Sequence, residues 1–293
     1  MKTIISALHF EWRTLSDCLN VATRDLQLDG VEMSWHESFC RPHCTLEDLA
    51  ALTARSGHDD TMLSAHVWDD IAAAGTARPE DALLRWLRLC QKTGTPDLVI
   101  HGGTWGDQRD GVARVRRVLE NVLPAFERAK VTLNLENHYA HDYRNCHELF
   151  SQPWEFLEVL TLDSPSLQFC LDTGHANMTR NTGELLDALA PWLNYVHLAD
   201  NQGIDDDHAA YGEGTVAWED VFARLRSIRY DRVLCVEFPV REDSEPFRAC
   251  LADIRRRWSG AGNPVRSERD RRLGLPPNGG DYTAPKRTST SNS

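Results

Sequence analysis

A chain of 293 residues, 41% apolar and 26% charged, is long enough for a sizeable core and suits an α/β barrel, a fold that runs to about 250 residues as one domain. Its net charge of −12 disfavours general affinity for nucleic acid or an anionic membrane. No run approaches the ~18 apolar residues that a bilayer span needs.

From the N terminus, Met1 to Thr14 holds an apolar stretch broken by His9, Glu11 and Arg13, too short and too polar for a signal peptide. The elements expected next, in chain order, are strand Thr3–Leu8, strand Gly30–Ser34, helix Cys44–Ser56, strand Thr61–His66 and helix Pro79–Lys92. There follow strand Asp97–His101, helix Gly111–Lys130, strand Val131–Glu136, helix Pro153–Thr161 and strand Leu167–Asp172. The series ends with helix Gly183–Leu189, strand Tyr195–Leu198, helix Trp218–Ile228, strand Arg232–Glu237 and helix Ser244–Trp258. Thr45 with Asp48, and Asn181, stand at cap positions. The strand runs are short, continuous and rich in Val, Ile and Leu, as when both faces are buried. Eight such runs alternating with helices predict an α/β fold, a closed (β/α)8 TIM barrel, as a single domain over residues 1–260. Residues 261–293 are rich in Gly, Pro, Ser and Thr, have few large aliphatics, and are expected to form a disordered tail. Eight cysteines without a CxxC pair, with Cys170 and Cys235 inside apolar runs, predict a reducing, cytoplasmic location.

The chemistry is concentrated where the strands end. His66, His101, Glu136, Asp172, His197 and Glu237 each close an apolar run, at spacings of 35, 35, 36, 25 and 40 residues, about one β–α unit apiece. Strand C-termini converge on one face of a barrel, so these six side chains are expected in one mouth. Glu136, Asp172, His197 and Glu237 form a mixed carboxylate and imidazole set suited to a divalent ion with open positions. His175 follows Asp172 by three residues, and the stretch from His197 to Trp218 adds Asp206 and His208 ahead of Gly212 and Gly214, glycines that permit a tight backbone path. Trp35, Trp68 and Trp105 follow strands two, three and four, where they either stack on a sugar face or pack the rim. His36, Cys40, His43 and Cys44 form a soft-ligand cluster, read as a loop carrying ordinary thiols rather than a zinc site. Asn137, His138, Arg144 and Arg241 follow two of the ligand-bearing strands, and either Arg would meet an anionic group bidentately or offset local acids. Trp218 reads as a core anchor for its helix.

With ENH after strand five, DTGH after strand six, HLAD…DxH…GEG-x-x-x-W after strand seven and VEF on strand eight, the chain resembles the xylose isomerase-like TIM barrels over about residues 3–258. That group includes sugar phosphate isomerases and epimerases and the family-2 AP endonucleases. The resemblance implies that Glu136, Asp172, His197 and Glu237 hold the shared metal and that Glu136 and Glu237 also carry protons. His175 would contact substrate or ligate a further ion. His66, His101, Asp206 and His208 match the additional ligands of the endonucleases' three-zinc cluster. The Arg that ketohexose epimerases place shortly after the strand-seven His is missing between His197 and Gly214. The N-terminal strand also lacks the His-rich opening of the endonucleases.

The expectation is therefore a divalent-metal-dependent isomerase or epimerase of a small sugar, sugar phosphate or polyol-derived ketone. Its catalytic residues would be Glu136 and Glu237, with His175, His66, His101, Trp105 and Arg241 against the substrate. The cofactor would be one ion of Mn, Mg, Co or Zn, with a multinuclear zinc site as the alternative. The alternative reactions are phosphodiester cleavage and lyase or dehydratase chemistry on the same site, and the non-enzymatic one is a metal-dependent sugar sensor. The partners expected are a carbohydrate substrate and further copies of the chain, not a membrane or nucleic acid.

Overall fold

The computed structural model describes residues 1–9, 14–36, 39–41, 61–68, 70–72, 78–143, 146–240 and 245–259. The expected helix Cys44–Ser56, the tail 261–293, and His43, Cys44, Arg144 and Arg241 lie outside the described residues.

Eight parallel strands close into a barrel in chain order: β1 (Lys2–Ser6), β2 (Gly30–His36), β4 (Met62–Val67), β5 (Asp97–Ile100), β7 (Thr132–Glu136), β10 (Leu167–Asp172), β11 (Leu193–Leu198) and β12 (Val233–Val236), with β1 pairing both β2 and β12. All eight expected strands are present, their ends shifted by at most two residues. A short β3 (Phe39–Arg41) adds to β2 antiparallel. Helices Pro79–Thr93, Gln108–Ala129, Pro153–Leu160, Thr182–Leu189, Trp218–Ser227 and Glu245–Trp258 match the expected ones within three residues at either end. Helix Leu15–Asn20, capped by Thr14 and Asp17, was not among those expected. Neither was a small antiparallel sheet of β6 (Thr104–Trp105), β8 (Asp142–Tyr143) and β9 (Cys146–Glu148), whose strands are too short for an apolar period to show. Asn181 does occupy the N-cap of Thr182–Leu189, but its side chain makes no capping bond; it donates to the Ser151 carbonyl at 2.8 Å.

Alternation along each strand builds the interior in layers. Outward residues such as Ile5, Val31, Leu133 and Val196 meet the helices in the main core. Inside, Ile4, Val99, Cys170, Tyr195, Val233 and Cys235 form a separate apolar plug. One inward step further along the strands come Glu136, Asp172 and His197, with Glu237 just past the end of β12. Trp35 is fully buried and stacked on Trp86 at 5.6 Å, so it belongs to the core and not to a sugar-binding rim. Among the described residues no helix is long and apolar enough to cross a membrane.

Candidate metal centre

The six strand-end side chains do meet. Glu136, Asp172, His197 and Glu237 each offer a ligand atom, all within 4.8 Å of one another, and all four residues are buried. His197 Nδ1 lies 3.0 Å from Glu136 Oε1 and 3.2 Å from Glu237 Oε2. The other carboxylate oxygen of Glu136, Oε2, lies 3.2 Å from both His66 Nε2 and His101 Nε2, which are themselves 3.0 Å apart. Glu136 thus faces two ligand groups at once, one through each oxygen.

Local structure aims these groups. Asp172 ends β10 and is the N-cap of helix Thr173–Thr179, which was not among the expected helices. Its Oδ1 accepts the His175 amide at 2.6 Å, and its Oδ2 is buried with no hydrogen-bond partner among the described residues. Asn137 pins this strand end, accepting the Asp172 amide at 2.8 Å and donating to its carbonyl at 3.1 Å.

The tautomers of the imidazoles follow from their neighbours. His175 Nδ1 faces the Asn137 carbonyl at 2.8 Å and His208 Nδ1 faces the Glu237 carbonyl at 3.0 Å. A carbonyl only accepts, so both Nδ1 atoms carry hydrogen and both Nε2 atoms are left for another partner. Those Nε2 atoms flank Asp206 Oδ2, at 3.2 and 3.5 Å. Asp206 Oδ1 is a second buried oxygen without a hydrogen-bond partner among the described residues. Asp205 and Asp207, on either side, are exposed.

The loop that carries Asp206 and His208 is held from inside by Asp200, which is fully buried. Its Oδ1 accepts the amides of Asn201 (3.0 Å) and Val216 (3.1 Å); its Oδ2 accepts the Gly212 amide (2.9 Å) and the Trp218 indole (2.9 Å). Gly212 takes the left-handed conformation at φ +83°, and a Cβ on Gly214 would come within 2.2 Å of Asp200 Oδ1. The spacing of HLAD, GEG and Trp218 is therefore the geometry of one carboxylate clamp.

Of the remaining expected contacts, Trp105 is half-buried with the Arg114 guanidinium 4.8 Å over its ring, and Trp68 is half-buried beside β4. The His138 ring lies 4.5 Å from that of His175, tilted by 31°, and its Nδ1 lies 3.9 Å from Glu148 Oε1. His36 is half-buried; the rest of its cluster has no described side chain. Two positions were given no role by the sequence reading: Asp200, quoted only as part of HLAD, and Glu32, whose Oε2 lies 2.9 Å from His197 Nε2.

Carboxylates and imidazoles set each other's charge here. Burial opposes ionisation of Glu136, yet His197, His66 and His101 hold it well below 4.5, and Glu237 is held near about 2 against burial by His197 and His66. Burial pushes the Asp172 carboxyl up to about 7, with Glu136 and Glu237 adding to the push and His175 opposing it. Against their own burial, His197 is raised by Glu237, Glu32 and Glu136, and His208 is raised to about 10 by Asp206. Burial keeps His101 below 6.5 and brings His138 down to about 2, so His138 is neutral.

These shifts carry a sign. A His raised from 6.5 to about 10 stabilises the fold below pH 6.5 and loses that contribution as pH rises through about 10. Asp172, raised from 3.8 to about 7, also loses stability as pH rises through that window. The stability of chelator-treated protein should therefore fall from about pH 6.5 to about 8.5, while its affinity for a divalent ion, which displaces those protons, should rise. Thermal unfolding and metal titration across that range check both; ion-free stability that rises with pH would contradict the charge pattern.

Asp172 Oδ2 and Asp206 Oδ1, buried without a hydrogen-bond partner among the described residues, and His175, His197 and His208, each with one ring nitrogen engaged away from the cluster, form a donor set that could hold a divalent ion.

Residues 21–257 match the family model described as xylose isomerase-like TIM barrel. A D-tagatose 3-epimerase-like protein superposes with a TM-score of 0.73 at 21% identity, over 89% of this chain and 99% of that one. An L-ribulose 3-epimerase gives 0.71 at 19% identity over 94% and 98%. The 3-keto-D-glucoside 4-epimerase YcjR of E. coli gives 0.68 at 18% identity over 87% and 99%. At these identities the likeness is one of fold. A segment of 89 residues is 36% identical to "Uncharacterized protein MJ1311" of Methanocaldococcus jannaschii, spanning 29% of this chain and 30% of that relative's length.

Proposed function

We propose that this chain, which belongs to the xylose isomerase-like TIM barrel family, is a metal-dependent isomerase or epimerase of a small sugar, sugar phosphate or polyol-derived ketone. The observation that carries this reading is the convergence of Glu136 and Glu237 on His197 Nδ1, at 3.0 and 3.2 Å, from β7 and the end of β12, strands separated by two others. Bound by Glu136, Asp172, His197 and Glu237, a divalent ion would polarise a substrate carbonyl and lower the cost of removing the adjacent proton. One glutamate oxygen accepts that proton from carbon; the other glutamate returns one, to the neighbouring carbon or to the opposite face. His175, its Nδ1 hydrogen fixed on the Asn137 carbonyl, presents Nε2 to a substrate hydroxyl or to a second ion. The epimerases with similar folds, which act by their names on tagatose, ribulose and a keto-glucoside, agree with a carbohydrate substrate.

A second reading rests on the other two ligand groups. His66, His101 and Glu136 form a trio close enough to share an ion, and Asp206 Oδ2 lies between His175 Nε2 and His208 Nε2, positions that match the additional ligands of a three-zinc cluster. Such a cluster suits phosphodiester cleavage, but the exposed Asp205 and Asp207 and the net charge of −12 oppose a polyanion at the mouth. Metal content of the purified protein separates the readings: one Mn, Mg or Co per chain supports isomerisation, and three zincs overturn it.

The direct test is deuterium incorporation from heavy water into a panel of ketoses. Incorporation beside the carbonyl, lost on chelation and restored by metal, is expected. Metal-dependent sugar binding without any exchange would instead make the protein a sensor.

A further inference from the structure

Glu32 sits in the middle of β2, fully buried, and nothing in the proposed reaction uses it. Its Oε2 accepts two hydrogen bonds, from the Tyr195 hydroxyl at 2.8 Å and from His197 Nε2 at 2.9 Å. The Tyr195 hydroxyl also lies 3.0 Å from Ser64 Oγ, and Ser64 Oγ donates to the Asp97 carbonyl. The carboxylate is thus anchored to the barrel wall, out of reach of solvent. Its Oε1 has no hydrogen-bond partner among the described residues. His66 Nδ1, likewise without a hydrogen-bond partner among the described residues, lies 3.9 Å from it.

An imidazole that ligates through one nitrogen donates through the other, and a carboxylate on that side fixes the ring, selects the tautomer and makes the ligating nitrogen more basic. His197 has this arrangement, with Nε2 on Glu32 and Nδ1 on the Glu136 and Glu237 side. His66 does not share it: its Nδ1 lies 3.9 Å from Glu32 Oε1 and 3.8 Å from Glu237 Oε1, beyond hydrogen-bond reach of either.

We propose that Glu32 is a positioning residue of the metal centre, holding His197 with its ligating nitrogen, Nδ1, aimed at the ion. The inference rests on the metal-dependent reading of the site. It adds that a buried carboxylate behind a ligand, rather than among the ligands, fixes the ring and tautomer of His197.

The test is titration of ion-free full-length protein with Co(II) alone, following the visible ligand-field bands. Wild-type binding comes first, because a wild type that takes up no Co(II) refutes the metal reading itself. Given binding, Glu32→Gln should weaken the affinity about 10- to 100-fold and shift the bands, at unchanged stoichiometry. Tyr195→Phe, which spares the Glu32–His197 contact, should stay within about threefold of wild type. Three results overturn the proposal: Glu32→Gln within about threefold of wild type, equal loss in both variants, or loss of one whole equivalent of cobalt, which would make Glu32 a ligand. A measurement on unaltered protein decides the matter if Glu32→Gln does not fold. Imidazole nitrogen NMR of the zinc-loaded protein should show His197 protonated at Nε2 and metal-bound at Nδ1; the opposite tautomer defeats the proposal.

Discussion

Replacing Glu136 by Gln is expected to lower solvent-proton exchange about a hundred- to ten-thousand-fold and to weaken two ligand groups in one step. Its Oε1 lies 3.0 Å from His197 Nδ1, and its Oε2 lies 3.2 Å from both His66 and His101. Gln keeps the shape but offers one acceptor oxygen and one NH2, so whichever way it turns, a donor faces ring nitrogens or an ion. Glu237→Gln should lower exchange comparably, yet affect only the ion shared with Asp172 and His197. Metal content and deuterium exchange measured on both variants separate the two roles. Equal metal content in Glu136→Gln and wild type, with exchange intact, would remove Glu136 from both.

That asymmetry between two glutamates was not readable in the sequence, although their convergence was. Each closes an apolar run, and in a barrel that position alone carries a side chain to the mouth. The same rule brought out His66, His101, Asp172 and His197, all of which the fold assembles within a few ångströms. It passed over Glu32 because Glu32 lies inside its run. The available signal was the alternation Val31, Glu32, Met33, Ser34, Trp35, in which a carboxylate occupies an inward position between large outward side chains. Which oxygen of Glu136 faces which imidazole depends on where β4, β5 and β11 stand around the closed barrel, and local pattern carries no such information. The antiparallel β6, β8 and β9 are two or three residues long, so no period forms within them.

The loop between β11 and helix Trp218–Ser227 is the other place where sequence spacing held more than it disclosed. Asp200→Ala is expected to destabilise the protein by roughly 3–5 kcal/mol, because it strips the acceptor from three backbone amides and the Trp218 indole, groups that are buried or half-buried. For a chain of this size that corresponds to a fall of about 6–20 °C in Tm. The local effect should exceed the global one. Gly212 at φ +83° and Gly214, pressed against Asp200 Oδ1, keep their backbone path only while the carboxylate is there. Without it, Asp206 and His208 lose their aim at His175 Nε2, so any ion held there should be lost while Glu136, Asp172, His197 and Glu237 still bind theirs. Asp200→Asn retains one acceptor oxygen and should fall between the two. Thermal unfolding with metal stoichiometry decides: an Asp200→Ala protein that melts within about 2 °C of wild type with its full metal content would show that the loop holds itself without the clamp.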